Sequence, residues 1–354
     1  MGEPVRVGFV PVPPASPTGP IRLADRTPEL RADAVVASLA PPPRFDRVRF
    51  ATYVPDPAQP SQAAAVEALA AFAERLAAPA ARRSLFRRAP AADGRAGVYL
   101  DGGYGVGKTH LLASLWHAAP APKAYCTFAE LTNLTGALGF AQAVEALRGH
   151  RLLAIDEFEL DDVGDTVLIS TLLRRLVESG VRLAATSNTL PGRLGQGRFA
   201  AEDFLREIQG LAAHFDVVRI EGEDYRHRGL PAAPPPLTDA EVAARAAATP
   251  GASLDDFDAL CAHLASLHPV RYGDLVDGVA LACLRGVRTV ADQATALRLV
   301  VLADRLYDRE VPVLASGVAF DRLFPDELLG GGYRKKYLRA VSRLVALTRD
   351  AHTG

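Results

Sequence analysis

The segment Gly102-Gly103-Tyr104-Gly105-Val106-Gly107-Lys108-Thr109 constrains this chain more than any other. It fits the pattern GxxxxGK[ST], in which a tight glycine loop turns successive backbone N–H groups toward phosphate oxygens. A loop of bulkier residues cannot bring its backbone so close to an anion. A helix starting near Lys108 points the positive end of its dipole at the same place. In this reading Gly102 to Thr109 cradle a triphosphate, Lys108 neutralises β- and γ-phosphate charge, and Thr109 offers a hydroxyl to Mg2+. A glycine-rich chain can produce the pattern by chance. The apolar run Gly97–Leu100 before it and the helical stretch Lys108–Ala118 after it supply the strand–loop–helix context that chance does not.

From Gly97 onward short apolar runs alternate with helical segments, the pattern of an α/β domain with a parallel sheet. Strands are expected at Gly97–Leu100, Ala124–Phe128, Leu152–Ile155, Val181–Ser187 and Val217–Ile220. Helices are expected at Lys108–Ala118, over most of Glu130–Leu147, at Thr166–Glu178 and near Ala201–Ala213. This makes a P-loop NTPase core with a five-stranded parallel sheet. Before it lie a short helix candidate, Pro28–Leu39, and an alanine-rich helix, Ser61–Ala77, with Ser61 placed as its cap. Prolines at Pro231–Pro236 mark a boundary, and the tail from Leu237 reads mainly helical, with one β-run at Val311–Leu314. The expected division is an N-terminal extension over 1–50, an ATPase core over 51–230 and a lid-like domain over 237–354.

Leu152-Leu153-Ala154-Ile155-Asp156-Glu157 is an apolar strand ending in two acids. Adjacent acids at a strand end are often a solvated tip. Beside a phosphate loop they acquire a task, because a carboxylate at the C-terminal end of a parallel strand faces the metal of a bound nucleotide. Asp156 is the expected Mg2+ partner, with Thr109, and Glu157 the expected polariser of attacking water. The strand Val181–Ser187 ends in Asn188, whose amide suits a hydrogen bond to the γ-phosphate and the water. Taken alone, Thr186-Ser187-Asn188 reads as turn chemistry. The candidates for a transition-state cation are Arg198 and Arg206, acting from a neighbouring subunit, and Arg298, early in a helix Asp292–Asp308, acting in cis. The aspartates Asp161, Asp162 and Asp165 suit a helix start and its cap.

Bulk properties exclude several classes. A net charge of −1 gives no general attraction to nucleic acid or anionic lipid. Of 40 basic residues only Lys108, Lys123, Lys335 and Lys336 are lysine, so arginine clusters say little and a lysine kept inside a glycine loop says more. The run Arg82, Arg83, Arg87, Arg88 carries one aromatic, Phe86, and reads as a solvated face rather than a base-stacking surface. Cys126, Cys261 and Cys283 form no CxxC pair, which argues against a disulfide framework or a zinc site. No apolar run has the length of a spanning helix, and Met1–Pro14 lacks the basic start of a signal peptide. The expectation is a cytoplasmic protein without an intrinsic membrane anchor.

Asp156-Glu157-Phe158, Ala185-Thr186-Ser187-Asn188 and Asp224-Tyr225-Arg226-His227-Arg228 together resemble the ZapE cell-division ATPases and their mitochondrial relatives. Phe257-Asp258-Ala259-Leu260-Cys261 resembles that family's FxxLC segment, and Arg298 to Tyr307, with Asp304 inside, its RFxxLxDxxY helix. The alanine-rich chain with Pro55-Asp56-Pro57 near its start is similar to actinobacterial members. The resemblance implies an AAA+-type ATPase that uses ATP and Mg2+, assembles into a homo-oligomeric ring and remodels a protein partner, the division filament protein FtsZ. Two departures stand out. Glu202-Asp203 occupy the place before Phe204 where family members often carry arginines, and Tyr125-Cys126-Thr127-Phe128 replace an aromatic, histidine-rich segment. Two other readings compete. Gly107-Lys108-Thr109-His110-Leu111 also resembles the loop of DNA helicase loaders, against which stand the neutral charge and the lack of a helix-turn-helix. A scaffold that binds ATP with little turnover has no use for the set Asp156, Glu157 and Asn188.

Overall fold

The computed structural model describes residues 19–29, 36–37, 39–78, 95–103, 105–158, 163–189, 210, 212–222 and 233–353. Five parallel strands form the larger sheet: β1 (Gly97–Gly102), β2 (Lys123–Thr127), β3 (Leu152–Asp156), β4 (Arg182–Ser187) and β5 (Phe215–Ile220), in the order β2-β3-β4-β1-β5. Strands β1, β3 and β4 are buried along nearly their whole length, as a sheet covered on both faces requires. The two-residue period sorts their side chains onto two faces. Leu100 and Ala154 pack with Leu69 and Phe72 of α1 (Pro60–Ala77) and Leu111 and Leu112 of α2 (Lys108–Ala118). Tyr99 and Ile155 pack on the other face with α3 (Phe128–Leu138), α4 (Phe140–Leu147) and α5 (Val163–Glu178).

Two local details differ from the sequence reading. Helix α1 starts at Pro60 behind Gln59, and Ser61 is no cap: its hydroxyl accepts from the Glu221 N–H at 2.8 Å. The stretch read as one helix from Glu130 to Leu147 is two, because Gly139 takes φ 79 and turns the chain between them. Helix α3 opens on a reciprocal cap in which Thr127 accepts from the Glu130 N–H and Glu130 accepts from the Thr127 N–H at 2.6 Å. Of the Pro28–Leu39 helix only 36–37 are described as helical, and most of the Ala201–Ala213 helix and the Arg82–Arg88 cluster lie outside the described residues.

The second half is mainly helical, as expected, but its helices wrap a three-stranded parallel sheet. Its elements are α6 (Asp239–Ala248), β6 (Ala252–Asp256), α7 (Phe257–Ser266), β7 (Leu281–Val287), α8 (Gln293–Asp308), β8 (Val313–Gly317) and α9 (Arg334–Thr353), with strand order β6-β7-β8. Only the last strand was legible, as Val311–Leu314. The N-terminal residues complete this sheet: Ile21 bridges Ser253 in parallel, donating to Ala252 O at 2.9 Å and accepting from the Leu254 N–H at 2.8 Å. Leu23 is buried in the core shared by α7, α8 and α9. The chain then reaches the larger sheet, where Leu39 O accepts from the Tyr125 N–H at 2.8 Å on the edge strand β2.

Candidate functional site

All five strands of the larger sheet run the same way, so their C-terminal ends share one edge, where ligands of open parallel sheets bind. Register carries the loop and the acids to that edge together. Leu100 pairs with Thr186 and Asp101 with Ser187 across β1 and β4, and Ile155 pairs with Ala185 across β3 and β4. Gly105 and Gly107 take φ 85 and φ 84, a region that side chains with a Cβ rarely adopt. A Cβ on Gly102 would meet Ile220 O at 2.4 Å, and one on Gly107 the Tyr53 ring at 2.5 Å. Tyr53 also donates its hydroxyl hydrogen to Val106 O at 2.8 Å, so this ring closes the loop from outside.

Lys108 points into the loop, donating to Gly102 O at 2.8 Å, to Gly103 O and to Asn188 Oδ1 at 2.9 Å. Thr109 follows on α2 and donates to Asp156 Oδ1 at 3.3 Å. Asp156 is buried, and its carboxylate also accepts from the Thr186 hydroxyl and, at 2.9 Å, from the Tyr125 hydroxyl. Burial and the nearby Asp156 charge push the Tyr125 phenol well above its usual range, so it stays a donor. Thr186 thus couples the two acids, because it also accepts from the Glu157 N–H at 3.1 Å. Glu157 has φ 51, the left-handed region that a non-glycine residue takes only when its surroundings impose it. Tyr125 and Thr186 were legible as residues but not as partners, since two strands must pair before they meet.

The Glu157 side chain is only partly exposed. Its carboxylate accepts from Arg339 and, at 3.3 Å, from Arg343, both on α9. Both arginines also donate to Asp304 of α8, Arg339 at 2.8 Å. Burial raises the Glu157 carboxyl above the usual range, opposed by Arg339 and Arg343. For Asp304 burial acts in the same sense but the two guanidiniums outweigh it, and its carboxyl is held low. A second pair spans the halves: Arg305 of α8 binds Glu130 of α3 and lies 3.6 Å from Asp308. Between the halves is a cavity of about 280 Å³, walled by Asp156, Glu157, Asp304, Arg305, Asp308 and Arg343 among others.

Arg298 lies in the first turns of α8, with Tyr272 and Asp292 as ionisable neighbours. The cations of this half that meet Glu157 are Arg339 and Arg343, which sequence reasoning passed over. Their signal was present: two arginines four apart on a helix put two cations on one face. Tyr104, Arg198 and Arg206 lie outside the described residues, as do Asp161, Asp162 and the Asp224–Arg228 segment. Asp165 is in the first turn of α5.

The residues present fit a nucleotide with a hard cation. The glycine loop packs too closely against Ile220 and Tyr53 to take a Cβ at Gly102 or Gly107, and the Thr109 hydroxyl with the Asp156 carboxylate offers oxygen ligands of the kind Mg2+ takes. Among the described residues no group of three His, Cys, Asp or Glu side chains is placed to hold a metal, and none of the helices is long and apolar enough to cross a membrane.

Parallel sheet, glycine loop and strand-end acids define a P-loop, AAA+-type nucleotide-binding protein. The chain belongs to the AFG1-like ATPase family, whose model matches residues 30–353. It is 30% identical over 146 residues to the cell division protein ZapE of Escherichia coli K12, a match covering 38% of this chain and 39% of that protein. The match thus spans well under half the length of that relative. Among solved structures it is similar to domain III of the replication initiator DnaA from Thermotoga maritima, at 19% identity and TM-score 0.38, over 52% of this chain and 70% of that one. It is also similar to the DnaC helicase loader, at 16% identity and TM-score 0.36, over 50% of this chain and 99% of that one.

Proposed function

We propose that this protein hydrolyses ATP with Mg2+ and uses the cycle to remodel a protein partner. The supporting observation is the convergence of Lys108, Thr109, Asp156, Asn188 and Glu157 on the edge where the glycine loop opens. The loop N–H groups from Gly102 to Thr109 bind the phosphates. Lys108 leaves the carbonyls of Gly102 and Gly103 for the β- and γ-phosphate oxygens. Thr109 and Asp156 would hold Mg2+, which when bound would supply positive charge against the phosphates. Asn188 orients the water and reads the γ-phosphate. Glu157 accepts the proton of the water as it attacks.

The ZapE relative is named a cell division protein, which makes FtsZ the first partner to examine. A homo-oligomeric ring, a cytoplasmic location and the division into 1–50, 51–230 and 237–354 belong to the same reading. Steady-state phosphate release, measured with Mg2+ or with EDTA and with or without FtsZ, tests it. The expected result is Mg2+-dependent turnover that FtsZ changes, absent in Lys108→Ala together with nucleotide binding. Full turnover by Lys108→Ala would remove the site assignment, and indifference to FtsZ would remove that partner.

A further inference from the structure

Glu157, Arg339, Asp304 and Arg343 form a closed ring. Arg339 donates one terminal nitrogen to Glu157 Oε2 and the other to Asp304 Oδ2 at 2.8 Å. Arg343 donates one to Asp304 Oδ1 and the other to Glu157 Oε1 at 3.3 Å. Two acids and two bases leave the ring with no net charge. Its members come from three places: the end of β3, the helix α8 and the helix α9. Its four hydrogen bonds run among these four side chains and none goes to the glycine loop.

We propose that Arg339, Arg343 and Asp304 are positioning residues for Glu157, so that turnover requires the second half of the same chain to be docked on the first. This rests on the role of Glu157 proposed above. Each carboxylate oxygen has about two acceptor directions, and the ring uses one on each oxygen of Glu157. One acceptor direction per oxygen is left for a water. Planar guanidiniums fix the plane of the carboxylate through paired donors, which a flexible ammonium cannot do. Asp304 fixes the guanidiniums in turn. A backbone in the left-handed region at Glu157 leaves its side chain without the support of the strand, so its aim depends on what grips it.

The test uses the full chain. Arg339→Gln with Arg343→Gln lowers kcat about a hundredfold, the scale of an ångström-sized misplacement. KM and the affinity for a non-hydrolysable ATP analogue stay within about threefold, because the four hydrogen bonds of the ring do not go to the loop. Asp304→Asn lowers kcat by a smaller factor, about tenfold, on the same argument. Arg343→Lys keeps the charge and loses the fork, and falls between wild type and Arg343→Gln. Should the double variant fail to fold, as judged by its melting transition, the single Gln variants carry the test, and at least one must lose about tenfold in kcat. Unchanged or faster turnover in the folded variants overturns the proposal.

Mixing decides whether the grip is within one chain. Glu157→Gln and Arg339→Gln/Arg343→Gln proteins are combined in equal amounts. No recovered turnover agrees with a ring closed inside each chain, and recovery overturns it. The failure of this idea is distinct from failure of the ATPase reading. In the first case wild type turns over, Glu157→Gln does not, and the arginine variants do; in the second wild type itself is inactive.

Discussion

Each half of this molecule is a parallel sheet, and each sheet buries an aspartate. Asp156 ends β3 of the larger sheet and Asp255 lies inside β6 of the smaller. Their surroundings differ in kind. Asp156 is held by the hydroxyls of Thr109, Thr186 and Tyr125, side-chain donors that rotate and can be exchanged for a ligand. Asp255 accepts from the backbone N–H groups of Leu23 and Ala24 at 3.1 and 3.0 Å, donors fixed by the chain that carries them. A carboxylate with movable partners at a strand end is arranged for chemistry. One with backbone partners in mid-strand ties a distant segment down. Burial alone separates nothing here, because both are buried.

The sharpest break in this comparison comes at Glu157, the neighbour of Asp156. Replacing it with Gln keeps the size but removes the proton acceptor and one of the two carboxylate oxygens, so kcat falls by about a thousandfold. One guanidinium N–H of the ring then faces the Gln NH2 group, so the unfolding free energy falls as well, by about 2 kcal/mol, and turnover is counted per folded molecule. Steady-state turnover beside a thermal melt reads both. Substantial turnover in Glu157→Gln would place the water elsewhere, and the larger sheet would lose its claim to be the chemical one.

Asp308, in the cavity between the halves, is an intermediate case. Burial raises its carboxyl to about 6, against the pull of Arg305 and Arg343, from an ordinary 3.8. The folded chain therefore holds a proton that the unfolded chain has released, and between pH 4 and 6 stability falls as pH rises. A shift of about two units sets the ceiling of that loss at about 3 kcal/mol. Asp308→Asn removes this slope, and also the contacts that Arg44 and Arg305 make with the carboxylate. Urea unfolding of both proteins at several pH values in the window checks the sign. Equal slopes would show that docking of the two halves does not feel this proton.

The larger sheet was legible because local signals agree there. The glycine string, the apolar runs at Leu152–Ile155 and Val181–Ser187 and the helix from Lys108 all say the same thing within a few residues. The smaller sheet was not. Strand β6 reads Ala-Ser-Leu-Asp-Asp, turn chemistry by composition, and becomes a strand because Ile21 and β7 pair on either side of it. Strand β7 contains Arg285 and Gly286, which interrupt the apolar pattern. The site divides in the same way. Spacing singled out Lys108, Thr109, Asp156 and Asn188 as candidates, and the fold brings them within hydrogen-bond reach of one another, whereas the grip on Glu157 comes from Arg339, 182 residues further on, and no window of sequence joins them. The helix that carries Asp304 was noticed by its motif, and only the fold shows what Asp304 holds.

The smallest effect lies at Asp255, and unlike the one at Glu157 it leaves turnover alone. Asn in this place has one carbonyl oxygen where the carboxylate had two. One of the Leu23 and Ala24 N–H groups keeps its acceptor while the other faces an NH2 group, donor against donor. A buried donor left unsatisfied costs about 2 kcal/mol. Asp255→Asn should lower the unfolding free energy by about that amount and loosen Ile21 from the edge of β6. The proper readouts are denaturant unfolding and hydrogen exchange at the Leu23, Ala24 and Leu254 amides. Turnover per folded molecule should stay at the wild-type value, because Asp255 touches nothing on the loop edge. A fall in kcat without a fall in stability would mean that the N-terminal staple governs the larger sheet, and the division between a chemical and a structural aspartate would no longer hold.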